Sequence, residues 1–334
     1  MKVNMYKRRE FVRLTFLASL FGLAACGRET EKPILCASSE TLPNELIRTL
    51  PESWLFKPLK SQVEIEANEL LLSQKPDLLA IGDGWVLEIQ ENLLQPIEAD
   101  DFLPRLSKQA EDFLSNLGPE LSSRVFPIGV SPWVMLFRNG QDLVDRGNQG
   151  WDVLLDSELT GQVVLPESPR LVMSIAERID DLDGLRKLRR QALTFDDRNG
   201  LNWVLSGQAR VAVLPLFHCF GDLSRDPRLS ISLPMSGTPL NWTLLVRPTK
   251  NKASLPFKWI EETWEMPLLA KLLARGWIPP LPNVELLKAS NYISNKHKSI
   301  VLPPDSFWLN SWSLYPMSTF EIDRLNNLWK ESTP

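Results

Sequence analysis

The sequence is poor in the residues that metal and redox chemistry draw on most. Of 334 residues only three are Cys and two are His. His218 and His297 have no Cys or carboxylate near them at ligand spacing, which argues against a zinc site. There is no Gly-rich phosphate loop, no nucleophile elbow and no pair of catalytic carboxylates, so nothing points to an enzyme or to a cofactor. Repeats and low-complexity runs are missing too, which argues against a solenoid or a propeller. No apolar run reaches the roughly 20 residues needed to cross a bilayer as a helix.

What is present suits a soluble globular body. The chain is 43% hydrophobic and 23% charged, enough to bury a substantial core as one large domain or two lobes. The formal net charge is −4, and the first 25 residues hold Lys2, Lys7, Arg8, Arg9 and Arg13 against Glu10 alone, so the rest is more acidic still. An acidic surface disfavours nucleic acid as a partner.

The opening segment carries the sharpest signal. A basic cluster at Lys7 to Arg13 precedes the apolar run Leu14 to Ala25, which closes on Leu23-Ala24-Ala25-Cys26. A positive stretch followed by a short apolar one is the layout of a secretory signal peptide, here residues 1–25. Arg8-Arg9-Glu10-Phe11 resembles a twin-arginine export motif. Leu23 to Cys26 resembles the lipobox of bacterial lipoproteins, which implies that Cys26 is lipidated and ties the protein to a membrane in the periplasm or cell envelope. Cys36 and Cys219 sit in apolar strand-like runs, where two separately buried thiols are expected rather than a disulfide.

Along the rest of the chain, strands and helices alternate. Ile34 to Ala37 reads as a strand, with a helix opened by Thr41 and Pro43 after it. Val63-Glu64-Ile65 reads as a second strand, followed by a short helix through Glu69-Leu70-Leu71. Asp77 to Ile81 has the continuous apolar run of a buried parallel strand. Gly82-Asp83-Gly84-Trp85 then lies beyond that strand's carboxyl end, the edge where open α/β sheets bind ligands. In the second half, Gln162 to Leu165 and Arg210 to Leu214 read as strands. Ser168-Pro169-Arg170 starts a helix with Ser at the cap, and Asp196 opens another that Gly207 ends. Leu229 to Leu233 and Trp242 to Val246 follow as strands. Phe257 to Arg275 reads as a helix broken at Pro267, and Ser318-Thr319-Phe320-Glu321 is a capping box for a last helix running to Lys330. The pattern implies an α/β fold of two lobes with a cleft between them.

The order of these motifs resembles the spermidine/putrescine-binding proteins of polyamine ABC importers, which are type II periplasmic solute-binding proteins. The likeness runs from about Pro33 to Lys330. It is carried by Asp77 to Ile81 with Leu93-Leu94-Gln95-Pro96-Ile97, by Phe126-Pro127 to Arg138-Asn139, and most specifically by Trp151-Asp152-Val153-Leu154 with Leu159-Thr160-Gly161-Gln162-Val163. Ser168-Pro169-Arg170, Leu205 to Ala209, Trp242-Thr243 and Gly276 to Asn283 fall where that family has further conserved motifs. The resemblance implies lobe 1 at 33–132 plus 243–300 and lobe 2 at 133–242 plus 301–334. It also implies a small solute, a polyamine or another small organic molecule, passed to ABC permease and ATPase subunits. The ligand-binding residues it implies are Asp83, Trp85, Glu167, Ser168 and Trp242.

The departures concern charge. Where the family has an acid after Pro-Arg, this chain has Leu171, and the acid of a later motif is replaced by Leu244 or Thr243. Ser38-Ser39 stands where the family has a Trp. A polycation would therefore leave ammonium groups unpaired. The single residues also carry blander readings. Trp85 can pack as core, Asp83 can serve as an N-cap, and Glu167 can simply complement a helix N-terminus, an end that would otherwise suit an anionic ligand. Arg170 is expected in a structural ion pair. Trp133, Trp277, Trp308 and Trp312 are candidates for an aromatic cleft, although most Trp residues are core. A different class of function also fits these features: an envelope lipoprotein that uses a binding-protein fold for protein interaction or assembly.

Overall fold

Long apolar strands with few polar interruptions have to be buried on both faces, and the sheet at the centre of this protein meets that need by lying between helices. A computed structural model describes residues 32–38, 40–59, 75–86, 89–249, 251 and 253–334. The expected signal segment 1–25, Cys26, Ser39, the strand at Val63 to Ile65 and the helix at Glu69 to Leu71 lie outside the described residues.

Strand β1 (Ile34–Ala37) pairs in parallel with β2 (Leu55–Pro58) and β3 (Leu78–Gly82). β3 runs antiparallel to β10 (Leu240–Pro248), which runs antiparallel to the 14-residue strand β5 (Val125–Arg138). Beyond β5 the order continues with β8 (Val211–Pro215), β6 (Val163–Leu165) and β7 (Ala192–Phe195), and the last two pairings are parallel. The short β4 (Leu94–Gln95) pairs with the end of β10, and β9 (Leu229–Ser232) pairs with β5. The flanks of this mixed sheet are thus parallel, and the antiparallel pairings lie along the two strands that tie the flanks together.

β5 shows how one strand serves both halves. Val125 to Pro132 pair with β10, and Trp133 to Phe137 pair with β8. Side chains alternate across a strand: Val134 and Leu136 enter one apolar cluster, whereas Trp133, Met135 and Phe137 enter a second. The first cluster gathers β1, β3, β10 and the helices Phe257–Glu262 and Leu268–Leu273. The second gathers the helix Pro169–Ala176, β6 and the turn at Trp151 to Leu154. Val301, Leu302, Phe307 and Trp308 belong to the first cluster. Further on, Trp312, Leu314 and Trp329 pack against the second cluster.

Local chemistry sets the element ends. Ser168 caps the helix Pro169–Ala176 by accepting from the Leu171 N–H. Ser318 and Glu321 form the reciprocal capping box of the helix Thr319–Glu331, and Pro267 separates the two helices of the 257–275 segment. Gly207 ends the helix Gly200–Ser206 in the left-handed region at φ 80°, as expected, but that helix begins at Gly200 rather than at Asp196. The Asp196 carboxylate instead accepts from the Asn199 N–H, the Asn199 side chain and Trp203 Nε1, and so braces the loop before the helix. Pro43, not Thr41, occupies the N-cap of the helix Asn44–Ile47, and Thr41 bonds to the Ser38 hydroxyl. Cys36 and Cys219 are separate buried thiols, and burial pushes the Cys36 thiol up to about 11. Gly129 permits a close approach: a Cβ there would lie 2.3 Å from the Trp277 ring.

Candidate functional site

Parallel strands of one flank end on the same edge, and because the two flanks run in opposite directions along successive halves of β5, the loop edges of the two flanks face each other. Here the loops after β1, β3, β6, β7 and β8 converge on one cleft of about 560 Å³. They bring in Glu40 and Thr41, then Asp83 to Trp85, then Glu167 to Arg170, then Asp197 and Arg198, then His218. The two long strands supply Trp133, Asn241 and Thr243.

The first wall is built from β3 and β10. Thr243 pairs with Gly82, which places the Trp242 backbone opposite Asp83. The backbone N–H groups of Trp242, Asp83 and Gly84 lie close enough to the Asp83 carboxylate to favour its charged form. Burial nevertheless pushes that carboxyl up to about 7, outweighing those donors and the nearby charge of Arg170. Asp83 keeps some access to the cleft while protein surrounds it on most sides. Trp85 lies two residues on, half in the cleft and half against the first apolar cluster. It therefore fits both readings that its position allows.

The second wall is looser. The register Leu165 to Phe195 aligns the ends of β6 and β7, so their loops bond to each other. Asp197 Oδ1 accepts from the Glu167 N–H at 2.7 Å, and Arg198 Nη2 donates to Glu167 Oε2 at 3.1 Å. Glu167 and Ser168 are exposed on this rim. Arg170 lies deeper. Its guanidinium donates to the Tyr315 carbonyl oxygen, and burial lowers its pKa against the opposing charges of Asp83 and Glu321. Arg170 makes no ion pair within 4 Å among the described residues, which corrects the expected structural ion pair. At the cleft's end His218 Nε2 bonds the Glu40 carbonyl oxygen at 3.2 Å.

Asp83, Trp85, Glu167 and Ser168 are thus brought together, and Trp242 is not. Its ring is 1% exposed, stacks on Phe113 at 4.9 Å and donates to the Ser313 hydroxyl. Only its backbone reaches the site. The cause is strand parity: Trp242 and Leu244 point into the core, whereas Asn241 and Thr243 point into the cleft. Of the two positions considered for the missing acid, Thr243 is the one that faces the cleft. Of the four other Trp candidates, Trp133 lines it, whereas Trp277 and Trp308 are core and Trp312 stacks under Arg178 at 4.5 Å. Asp197, Arg198, Glu40, His218 and Asn241 were not singled out as site residues in the sequence. Their signal is position alone, at or just beyond strand ends.

No family model matches the sequence, and no curated protein matches it. The fold is nonetheless similar to those of solved solute-binding proteins. The spermidine/putrescine ABC transporter substrate-binding protein PotD from Streptococcus pneumoniae matches with a TM-score of 0.64 at 14% identity, over 90% of this chain and 98% of that one. The TpPotD lipoprotein of Treponema pallidum gives 0.64 at 14%, over 90% and 99%. A ferric binding protein from Campylobacter jejuni gives 0.56 at 14%, over 90% and 99%. At such identities the likeness shows the fold, the two-lobed type II arrangement, and not the ligand.

Proposed function

We propose that this protein is the extracytoplasmic solute-binding component of an ABC importer and that Asp83, Trp85, Glu167 and Ser168 contact its solute. The observation that carries this reading is the convergence of five strand-end loops, drawn from both apolar clusters, on one cleft. A solute touching both walls binds more tightly when they approach, so binding favours a closed state by the difference in affinity. The solved neighbours named as ABC transporter proteins support that role, and the variety of ligands in their names leaves the solute to be read from this cleft. With Leu171 and Thr243 in place of acids, spermidine is expected to bind weakly. Attachment to the membrane through a lipid on Cys26, and delivery to permease and ATPase subunits, belong to the same proposal.

Calorimetry of the full-length chain in detergent, against a broad set of small organic solutes, paired with X-ray scattering, tests it. A solute that binds with a measurable decrease in radius of gyration is the expected result. Absence of any binding solute would favour a role in protein interaction instead. In cells, Cys26→Ser is expected to release the protein from the membrane fraction or leave its precursor uncleaved. Unchanged fractionation would remove the anchor from the proposal.

A further inference from the structure

The fixed charges of the cleft are not those of a polycation site. On the first wall Asp83 is the deep carboxylate, lining the cleft beside Gly82 and Thr243. On the second wall the acids are already engaged: Glu167 pairs with Arg198, and Asp197 holds the Glu167 N–H. The deep charged group on that wall is the Arg170 guanidinium, which has five N–H donors. Its assigned bond goes to a single carbonyl oxygen, with no carboxylate within 4 Å among the described residues. Asp83 and Arg170 come from helices packed on different apolar clusters. Their charges are felt by each other without a salt bridge. Trp85 and Trp133 supply apolar surface in the same cleft.

We infer that the cleft takes a solute bearing one ammonium and one carboxylate on an apolar body, with the ammonium on Asp83 and the carboxylate on Arg170. This rests on the solute-binding reading and narrows it. A second ammonium would meet a cation at Arg170, and a second carboxylate would meet an anion at Asp83. A zwitterion satisfies both half-buried charges at once through charge-assisted hydrogen bonds. It also joins one wall to the other, which a solute held by either charge alone does not.

The test is calorimetry of the full-length protein at pH 8 with three matched series. The first is leucine, phenylalanine and the ω-amino acids from β-alanine to aminohexanoate. The second is the diamines of the same lengths together with spermidine, and the third is the corresponding dicarboxylates. At least one zwitterion is expected to bind about tenfold or more tighter than the best diamine and the best dicarboxylate. Arg170→Gln should weaken that zwitterion by about tenfold to a hundredfold, while Arg170→Lys retains the order of the three series. A diamine or spermidine as the tightest wild-type ligand would overturn the inference and leave the solute-binding role standing. Failure of every solute, in these series and in the broad set, would overturn both.

Discussion

The two walls of the cleft hold their acids and their aromatics in opposite ways. On the first wall the acid is deep and the aromatic is shared with solvent: Asp83 is surrounded by protein on most sides, with backbone N–H groups nearby, and Trp85 is half open. On the second the acid is on the rim and the aromatic is deep: Glu167 is paired in the open with Arg198, and Trp133 is 8% exposed and part of the second apolar cluster. A charge kept out of water and held in place by the chain is expensive in the empty protein and ready for a partner. A paired surface charge costs little and contributes little. The first wall is therefore the one built to receive a charged group, and the second wall's rim is adjustable.

The largest expected effect separates the two aromatics. Trp133→Ala removes a side chain from the second cluster and should destabilise the protein by about 3–5 kcal/mol, whereas Trp85→Ala, at a half-open position, should cost about half as much or less. Urea denaturation of both variants measures this. Equal costs would make Trp85 a core residue and erase the asymmetry.

Next in size is the pH response of Asp83. An acid whose folded pKa lies above its unfolded value holds its proton more tightly in the folded protein. With a shift from 3.8 to about 7, its contribution to stability falls as pH rises from about 4 to about 7 and is level beyond. Asp83→Asn removes that loss, so the variant's stability relative to wild type should climb by about 1.4 kcal/mol per pH unit up to about pH 7. The other ionisable side chains of the cleft, Glu40, Glu167, Asp197, Arg170, Arg198 and His218, are present in both proteins. Parallel stability curves from pH 5 to pH 8 would show that Asp83 titrates like a surface acid.

The contrast between the walls was partly visible in the sequence. Asp83 and Trp85 follow an apolar run of the length expected for a buried strand, which puts their loop on the ligand edge, whereas Ser168-Pro169 reads by itself only as a helix start and its place in the cleft is what the family resemblance implies. The loop at Asp197-Arg198 had neither signal, because the strand before it, β7, is short and mostly half-exposed and has no apolar alternation to announce it. β2 was missed for the same reason, as an edge strand with a Lys and a Pro in four residues. Trp242 was misplaced although its strand held the answer: parity with Leu244, a core residue, puts its ring in the core, and parity with Asn241 puts Thr243 in the cleft. The approach of Arg170 to Asp83 is a tertiary fact with no local signal, since it depends on how two apolar clusters are packed against each other.

The smallest expected effect tests the rim. Glu167 and Arg198 lie 3.1 Å apart with 64% and 37% of their side chains exposed, where water screens the attraction and both long side chains lose freedom in order to meet. Such pairs are worth about 0–1 kcal/mol. The loop that carries Glu167 is held by its backbone, through the N–H donated to Asp197, and that bond survives a change of side chain. Glu167→Gln should therefore shift the urea midpoint by less than the equivalent of about 1 kcal/mol, and raising the salt concentration should shrink even that difference. A larger, salt-independent loss would mean that the rim pair fixes the second wall as firmly as burial fixes the first, and the two walls would then differ in depth but not in rigidity.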